Sequence, residues 1–254
     1  MDIVDRLTSE LMKLRDSDES PQSDPSLTER YKTAARNYAS MENTVSVLSD
    51  LKSNVSHIYY GRFAETLGIG NRPAGEETID SIWERRIMEL IQPNDLHDKH
   101  LNELRFFHFI RHLPKSRRAD YYLVNKLRMR NRFGNIVPAV HRLFYISDPA
   151  NNGLWFALCL YGPTTFEFAG TSAIVNSATG QIIKHGEDNA IKILTKRETE
   201  VLKMISRGMT SKQIAEGLSI SVNTVNRHRQ EILGKLQVRN SIEACRVAED
   251  LGLL

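Results

Sequence analysis

From Leu194 onward the apolar residues have helical spacing, and only a few residues separate one helical pattern from the next. Residues suited to cap a helix N-terminus stand at four places in this stretch: Thr195, Thr210, Ser221 and Asn240. Three of them are followed three residues later by Glu or Gln, which is the spacing of a capping box. Because short links force consecutive helices to pack on one another, residues 193–254 are predicted to form an all-α domain of four helices.

The second and third predicted helices have the lengths of a helix-turn-helix, about eight and about fifteen residues joined by about three. At about 100° per residue, the longer helix has apolar residues on one side and polar residues on the other. The polar side consists of Asn223, Asn226, Arg227 and Gln230. Arg, Asn and Gln are the side chains that pair with base edges in the major groove of DNA. The alternative is a helical protein-docking module, in which this side is simply solvated.

Four segments of this domain carry a family resemblance: Leu194–Leu202 (LTKRETEVL), Gly208–Ala215 (GMTSKQIA), Ile220–His228 (ISVNTVNRH) and Lys235–Val238 (KLQV). They are similar to the LuxR-type helix-turn-helix domain of bacterial transcription regulators. The similarity runs almost without gaps through about a quarter of the chain. It implies a sequence-specific DNA-binding transcription regulator with double-stranded DNA as its partner.

The resemblance also implies roles for individual residues. Contacts with base edges are assigned to Asn226, Arg227 and Gln230. Phosphate contacts are assigned to Thr210, Ser211, Lys212, Asn223, Thr224, His228 and Lys235. For Lys235, and for Arg239 beside it, a plain surface role is an equal alternative. Many relatives carry Lys at the position of Asn226, so their preferred DNA sequence does not carry over to this chain.

Charge is distributed unevenly along the chain. Residues 194–254 hold ten Lys/Arg and seven Asp/Glu, and therefore carry the entire formal excess of +3. Such an excess at one end is compatible with a polyanionic partner.

The last predicted helix, Ser241–Leu253, has two interpretations. By resemblance it holds two copies of the domain together, which implies a homodimer. Alternatively, its apolar residues Ile242, Cys245 and Leu251 complete the core of one copy. Dimerisation matters because two half-sites about one DNA turn apart multiply specificity.

The middle of the chain has β-type patterns instead. Three runs suit strands: Tyr121–Met129, Ile136–Ile146 and Leu154–Tyr161. Short connections rich in Gly, Asn and Pro permit only antiparallel pairing between them. A hairpin is predicted over Ala173–Ile183. A helix is predicted from an Asn94 cap to about Leu113, because Pro114 stops it.

The N-terminal region, residues 1–44, is predicted to be helical. Its first twenty residues have the apolar spacing of an amphipathic helix, and a flexible acidic connection follows over residues 16–25. A second, weaker helical pattern extends over about Leu27–Leu51.

The central region resembles a PAS domain between about Val55 and Pro163. The resemblance is carried by His57–Gly61 (HIYYG), by Leu90–Leu96 (LIQPNDL) and by the three strands described above. It implies an antiparallel sheet covered by helices, with room for a small cavity. We therefore expect an α+β protein with a PAS-like sensor domain at 45–165 and a hairpin and linker at 166–192. A phosphoacceptor receiver is disfavoured because the strands are antiparallel and lack acidic ends.

Three residues are candidates for lining a sensor pocket, namely Trp83, His141 and Cys159. Core packing explains Trp83 and Cys159 equally well. The signal is expected to be a small molecule or a protein. The rival hypothesis is a dimerisation or docking domain that binds no ligand.

No cofactor, metal site or enzymatic activity is predicted. His108 and His112 have a metal-compatible spacing, but no third ligand accompanies them. We find no pairing of a nucleophile with a base, and no carboxylate pair, in the sequence. Two distant cysteines, the lack of an apolar run of about 18 residues and the lack of a secretion signal predict a cytoplasmic protein without membrane contact.

Overall fold

The computed structural model describes residues 3–16, 25–69, 75–150, 153–164, 168–184, 194–236, 238–250 and 254. The chain divides into two compact units, residues 1–106 with 113–186 and residues 107–112 with 187–254. Each unit has its own apolar core. None of the helices in the described ranges combines the length and the apolar character that crossing a membrane requires.

An antiparallel sheet forms the centre of the N-terminal unit. Its strands in the described residues are β1 (Val45–Asp50), β2 (Val55–Tyr60), β3 (Glu76–Ile79), β4 (Tyr121–Arg130), β5 (Ile136–Ser147), β6 (Leu154–Pro163), β7 (Ser172–Asn176) and β8 (Ile182–Lys184). They lie in the order β3-β2-β1-β6-β5-β4-β7-β8. The predicted antiparallel pairing of the three central runs is confirmed, and so is the hairpin formed by β7 and β8. That hairpin continues the same sheet, because β7 pairs with β4.

The helices before residue 194 are α1 (Ile3–Asp16), α2 (Pro25–Met41), α3 (Phe63–Leu67), α4 (Arg85–Met88) and α5 (Pro93–His112). A 3-10 helix, Lys115–Asp120, precedes β4. The predicted amphipathic helix at the N-terminus is confirmed, and so is the end of α5 just before Pro114.

The helical prediction over Leu27–Leu51 is wrong in its second half. The helix ends at Met41, Asn43 adopts a left-handed φ of 55°, and Val45 begins a strand. This strand, β1, lies between β2 and β6, and its first five residues are buried. Ser46 and Ser49 are buried together with Val45, Val47 and Leu48, so β1 lacks the strict alternation that distinguishes a half-exposed strand from a helix.

The predicted Asn94 cap is also wrong, by two residues. Helix α5 begins at Pro93, so Asn94 is already inside the helix. Proline suits the first helical position because its fixed φ is helical and that position needs no amide hydrogen. The neighbouring Asp95 carboxylate instead accepts hydrogen bonds from the Arg128 guanidinium and backbone amide in β4.

Both faces of the sheet are covered. On one face, α2 packs against an apolar cluster of Ala35, Ala39, Leu48, Tyr59, Trp155, Phe156, Leu158 and Leu160. The other face meets α5, where Phe106 stacks on Tyr145 with ring centroids 5.5 Å apart. Burial on both sides explains why β6 has nine consecutive buried residues.

The C-terminal unit contains α6 (Lys196–Ser206), α7 (Ser211–Leu218), α8 (Val222–Leu236) and α9 (Ser241–Asp250). Both Thr-headed capping boxes are confirmed, with Thr195 and Thr210 as the caps. Ser221 and Asn240 cap α8 and α9 as predicted, since their side-chain oxygens accept the amide hydrogens of Thr224 and Glu243. The helices enclose one core, formed by Leu194, Val201, Leu202, Ile214, Ala215, Val225, Ile232, Leu236, Ala244, Val247 and Ala248.

Gly61 follows β2 at a point of close backbone approach. A Cβ atom there would lie 2.3 Å from the Ala39 oxygen and 2.5 Å from the Thr44 oxygen. We expect Gly61→Ala to destabilise the N-terminal unit by about 1–3 kcal/mol or more, because backbone atoms cannot move aside as a side-chain end can. Tryptophan fluorescence during denaturant unfolding measures this, since both tryptophans, Trp83 and Trp155, lie in that unit.

The matched control is Gly234→Ala in α8, where the added Cβ meets nothing within 4 Å. Alanine is a better helix former than glycine. This change should therefore leave unchanged the denaturant midpoint that tryptophan fluorescence reports. An unchanged transition in Gly61→Ala would contradict the proposed clash.

Candidate nucleic-acid interface

Helices α7 and α8 are joined by a tight turn. Ser219 ends α7 with a left-handed φ of 54°, and the Ile220 amide donates to the Ala215 carbonyl oxygen. Ser221 then caps α8. An eight-residue helix, a three-residue link and a fifteen-residue helix form a helix-turn-helix.

The two sides of α8 have different surroundings. Val225, Ile232 and Leu236 are buried in the core of the unit. The predicted polar side is exposed, with all four of its residues open to solvent: Asn223, Asn226, Arg227 and Gln230. The helix therefore presents an accessible row of hydrogen-bonding side chains while its apolar side is held by the core.

Arg227 has the most hydrogen-bond donors of the side chains in this row. Its side chain is 79% exposed, and its Nε donates to Oε1 of Glu231 over 2.9 Å. An exposed ion pair of this kind contributes at most about 1 kcal/mol. Redirecting the guanidinium toward another acceptor therefore costs little.

The residues assigned to phosphates lie around the N-terminal ends of α7 and α8. Thr210, Lys212 and Asn223 are exposed, whereas Ser211, Thr224 and His228 are half-buried. The Ser211 hydroxyl accepts from Arg229, and the hydroxyls of Thr224 and Ser221 lie 2.8 Å apart. Helix N-termini direct backbone N–H groups and a positive dipole end outward, which suits a phosphate.

Lys235 has a different environment from the one its phosphate assignment requires. Its Nζ donates to both carboxylate oxygens of Glu198, over 2.6 and 2.7 Å, and Glu198 also accepts from the Thr195 amide. Burial opposes ionisation of Glu198, but Lys235 and the Thr195 amide outweigh burial and lower its pKa. Lys235 thus joins α8 to the start of α6, a role that neither the phosphate assignment nor the plain surface role describes.

Two arginines that were assigned no role from the sequence connect the helices. The Arg229 guanidinium donates to Ser211 at the start of α7 and to Ser241 at the start of α9. The Arg197 guanidinium donates to the Leu218 carbonyl oxygen at the end of α7. A single arginine on a helix resembles a solvated residue, so the pattern gave no signal for either role.

Helix α9 has one prominent exposed apolar residue. Ile242 is 85% exposed, whereas Ala244, Val247 and Ala248 on the same helix are buried in the core. The alternative in which Ile242 completes the core of one copy is therefore wrong. Cys245 is half-buried against that core, and Leu251 lies outside the described residues.

Of the three residues predicted to line a sensor pocket, two line the same cavity and the third does not. Trp83 and Cys159 line a cavity of about 40 Å³ in the N-terminal unit, together with Leu7 and Leu11 of α1. His141 is fully buried and does not line this cavity. A cavity of this size holds only one or a few water molecules.

A larger cleft, which was not predicted from the sequence, lies between α5 and the strands β4 and β5. Its volume is about 530 Å³, within the range of small-molecule sites. Polar side chains dominate its lining: Asp95, Asp98, Lys99, Asn102, Asn125, Lys126, Arg128, Thr164 and Thr171. These residues are spread over the sequence, so no local sequence motif predicts the cleft.

Two groups of residues in the described ranges place three potential metal-ligand atoms within 4.8 Å of one another. They are Glu103, His141 and Cys159 in the N-terminal unit and Glu198, His228 and Glu231 in the C-terminal unit. In each group the first glutamate also pairs with a lysine, Glu103 with Lys99 and Glu198 with Lys235. The side chain of His112, which was considered with His108 as a ligand pair, lies outside the described residues.

Comparison with known proteins agrees with the description of α7 and α8 as a helix-turn-helix. Residues 192–248 match the family described as bacterial regulatory proteins, luxR family. The C-terminal unit thus carries a LuxR-type helix-turn-helix domain.

The relatives have regulatory names. The oxygen regulatory protein NreC of Staphylococcus haemolyticus is 37% identical over 86 residues, 32% of this chain and 39% of NreC. The transcriptional regulatory protein LiaR of Bacillus subtilis is 42% identical over 64 residues, 24% of this chain and 30% of LiaR. The chain thus spans less than half the length of these relatives. A crystal structure of the phage VqmA–DPO complex is 17% identical, with a TM-score of 0.31 over 89% of this chain and 91% of that one.

The Glu198–Lys235 pair predicts a pH-dependent contribution to stability. Lys235→Met should destabilise the C-terminal unit by about 1–3 kcal/mol, because a buried carboxylate loses its counterion. Since the pKa of Glu198 is lowered on folding, its contribution is present above the ordinary value of 4.5 and disappears as the pH falls through the folded value. Thermal unfolding followed by far-ultraviolet circular dichroism at several pH values measures both effects.

The control is the double variant Glu198→Gln with Lys235→Met. It removes both charges and should recover part of the lost stability. A Lys235→Met protein as stable as the wild type at neutral pH would show that the pair is not structural.

Proposed function

We propose that this protein is a sequence-specific DNA-binding transcription regulator that reads its operator with α8. The observation that carries this proposal is the exposed polar row of α8, opposite a buried apolar side, in a LuxR-type domain. An α-helix fits the major groove, and a helix-turn-helix presents the N-terminal part of its second helix to the bases. The regulatory names of NreC and LiaR agree with this proposal.

We assign base contacts to Asn226, Arg227 and Gln230, all of which are exposed. Phosphate contacts are assigned to His228 of α8 and to five residues at the starts of the two helices, namely Thr210, Ser211, Lys212, Asn223 and Thr224. In this arrangement phosphate contacts fix the position on the duplex, and base contacts provide the specificity.

A homodimer is proposed, with the exposed Ile242 of α9 at its contact. An isoleucine that is 85% exposed on α9 gains free energy when a second copy covers it. Two helix-turn-helix units could then occupy two half-sites about one turn of DNA apart.

The N-terminal unit is proposed to act as a PAS-like sensor. Its antiparallel sheet is covered by helices, as the resemblance implies, and its polar cleft of about 530 Å³ has room for a small molecule. A signal that binds one conformation more tightly than another would shift the population of DNA-binding dimers. Because β7 and β8 belong to the same sheet, the sensor is proposed to extend through residue 184. The protein is proposed to act in the cytoplasm of a bacterium.

A ligand-free dimerisation or docking domain is the second candidate, and the small cavity beneath α1 favours it. Side chains from α1 line that cavity and leave only about 40 Å³ open. Native mass spectrometry separates the two candidates. A stable dimer without a co-purified small molecule favours the docking domain, and a bound small molecule favours the sensor.

Arg227 and Lys212 should respond differently to replacement. Arg227→Ala is expected to cost about 1–3 kcal/mol on the operator and to relax preference at one base pair, because it removes a base contact. Lys212→Ala should weaken binding to all duplexes alike and reduce the salt dependence by about one unit, because it removes a phosphate contact. Binding selection from a random DNA library, followed by salt titrations on the selected site, measures both effects.

The matched control is Lys203→Ala, which removes an exposed positive charge from α6 outside the proposed interface. It should change neither the preferred sequence nor the salt slope. If Arg227→Ala keeps the full sequence preference of the wild type, the base-contact assignment fails.

Ile242→Asp tests the dimer. It should weaken self-association by about tenfold or more, because burying an isoleucine contributes about 1.5–3 kcal/mol and a carboxylate does not tolerate that burial. Sedimentation equilibrium measures the dissociation constant. Ile136→Asp, at a 46% exposed position in β5, is the control and should leave it unchanged. An unchanged constant in Ile242→Asp would place the dimer contact elsewhere.

A further inference from the structure

A cluster of ionisable side chains is buried in the N-terminal unit between α5 and the sheet. Glu103 comes from α5, His141 from β5 and Cys159 from β6, and their exposed fractions are 4%, 0% and 8%. One carboxylate oxygen, one imidazole nitrogen and one sulfur of these residues lie within 4.8 Å of one another. We propose that Glu103, His141 and Cys159 bind a divalent transition-metal ion of the zinc or ferrous iron class.

The sheet register positions two of these ligands. In the antiparallel pair β5–β6, His141 is opposite Tyr161, and Leu143 is opposite Cys159. His141 and Cys159 therefore project from the same face, one diagonal step apart. Because that face packs against α5, Glu103 approaches both from the helix. Ligands on a helix and two paired strands are held more rigidly than ligands on loops.

The imidazole of His141 provides an independent indication of a ligand. Its Nε2 is buried, has no hydrogen-bond partner among the described residues and lies 3.7 Å from Oε1 of Glu103. Buried polar atoms are nearly always hydrogen-bonded or bound to an ion. Coordination by Nε2 would satisfy this nitrogen, and neutral imidazole is a common metal ligand.

The other imidazole nitrogen is held by a chain of two amides. Nδ1 lies 3.2 Å from Nδ2 of Asn125, and Nδ2 of Asn102 lies 3.0 Å from Oδ1 of Asn125. If both amides rotate by 180°, Nδ1–H donates to the Asn125 oxygen and Asn125 donates to the Asn102 oxygen. Nε2 then carries the lone pair toward Glu103 and Cys159. Metal-binding histidines are commonly oriented by such a hydrogen bond at the second nitrogen.

The charges of the surrounding core also suit a cation. Nζ of the buried Lys99 lies 2.8 Å from Oε1 of Glu103, and the Tyr161 hydroxyl donates to the buried Glu84 over 2.5 Å. Counted formally, with Glu84 and Glu103 at −1 each and Lys99 at +1, the charge of this core is −1. A divalent ion that displaces the thiol proton of Cys159 brings it to zero. Neutralising a buried charge is favourable because burial penalises unpaired charge.

The donor set selects the kind of metal. Thiolate and imidazole ligands suit zinc, cobalt and ferrous iron, whereas magnesium and calcium prefer oxygen ligands. Glu103 and Cys159 also line the cavity of about 40 Å³, which has room for a water molecule as a fourth ligand.

Cobalt titration of the full-length protein tests the proposal without reference to DNA binding. Cobalt bound to a thiolate produces a sulfur-to-metal charge-transfer band in the near ultraviolet, and we expect it to saturate at about one Co²⁺ per chain. Cys159→Ser should abolish the band. Cys245→Ser is the matched control, because Cys245 is the other cysteine of the chain and should leave the band intact.

Asn125→Leu keeps all three ligands and removes the hydrogen bond that orients the imidazole. It should weaken cobalt affinity by about 10–100-fold while the charge-transfer band persists at saturation. Glu103→Gln is a second, conservative ligand variant that keeps the test valid if Cys159→Ser does not fold. The proposal is overturned if folded wild-type protein shows no thiolate band, if the band follows Cys245, or if Glu103→Gln binds cobalt as tightly as the wild type.

Discussion

The division of α8 into a buried and an exposed side is the constraint on which the C-terminal unit depends. Val225, Ile232 and Leu236 are each at most 1% exposed, so the rotation of the helix about its axis is fixed by its core contacts. Burial of three such side chains contributes several kcal/mol, far more than any exposed polar contact. The direction of Arg227 and Gln230 is therefore a consequence of core packing and does not depend on interactions of their own.

Local features of this unit could be predicted from the sequence because their causes are local. A capping box needs only a Thr and a Glu or Gln three residues apart, and both Thr-headed examples formed. The ion-pair partner of Lys235 could not be predicted in the same way. Its partner, Glu198, lies 37 positions away, and only the packing of α8 against the start of α6 brings the two charges together.

The N-terminal unit shows the same limit more strongly. Strands bounded by clear turn residues were predicted to within a few positions. Strand β1 was mistaken for helix because its buried serines, Ser46 and Ser49, break the apolar–polar alternation. The polar core could not be predicted either, because Glu103, His141 and Cys159 are far apart in the sequence and have no motif spacing. Sheet register and helix packing alone bring these ligands together.

Buried polar groups in this core carry a cost that an apolar core would avoid, so their presence needs a physical account. Burial and the nearby Lys99 lower the pKa of His141, and burial raises the pKa of Cys159, so each is held in its neutral form without a ligand. A neutral imidazole is ready to coordinate, and a thiol exchanges its proton for a metal ion.

On the proposed DNA contacts, Asn226 places a carboxamide in the base-reading row, where a lysine would place a point charge. Lysine donates to guanine as a point charge, whereas the carboxamide of asparagine both donates and accepts and matches the N6 and N7 edge of adenine. The proposed interface therefore depends less on charge and more on hydrogen-bond geometry at that base, with Arg227 as the cation of its base-reading row.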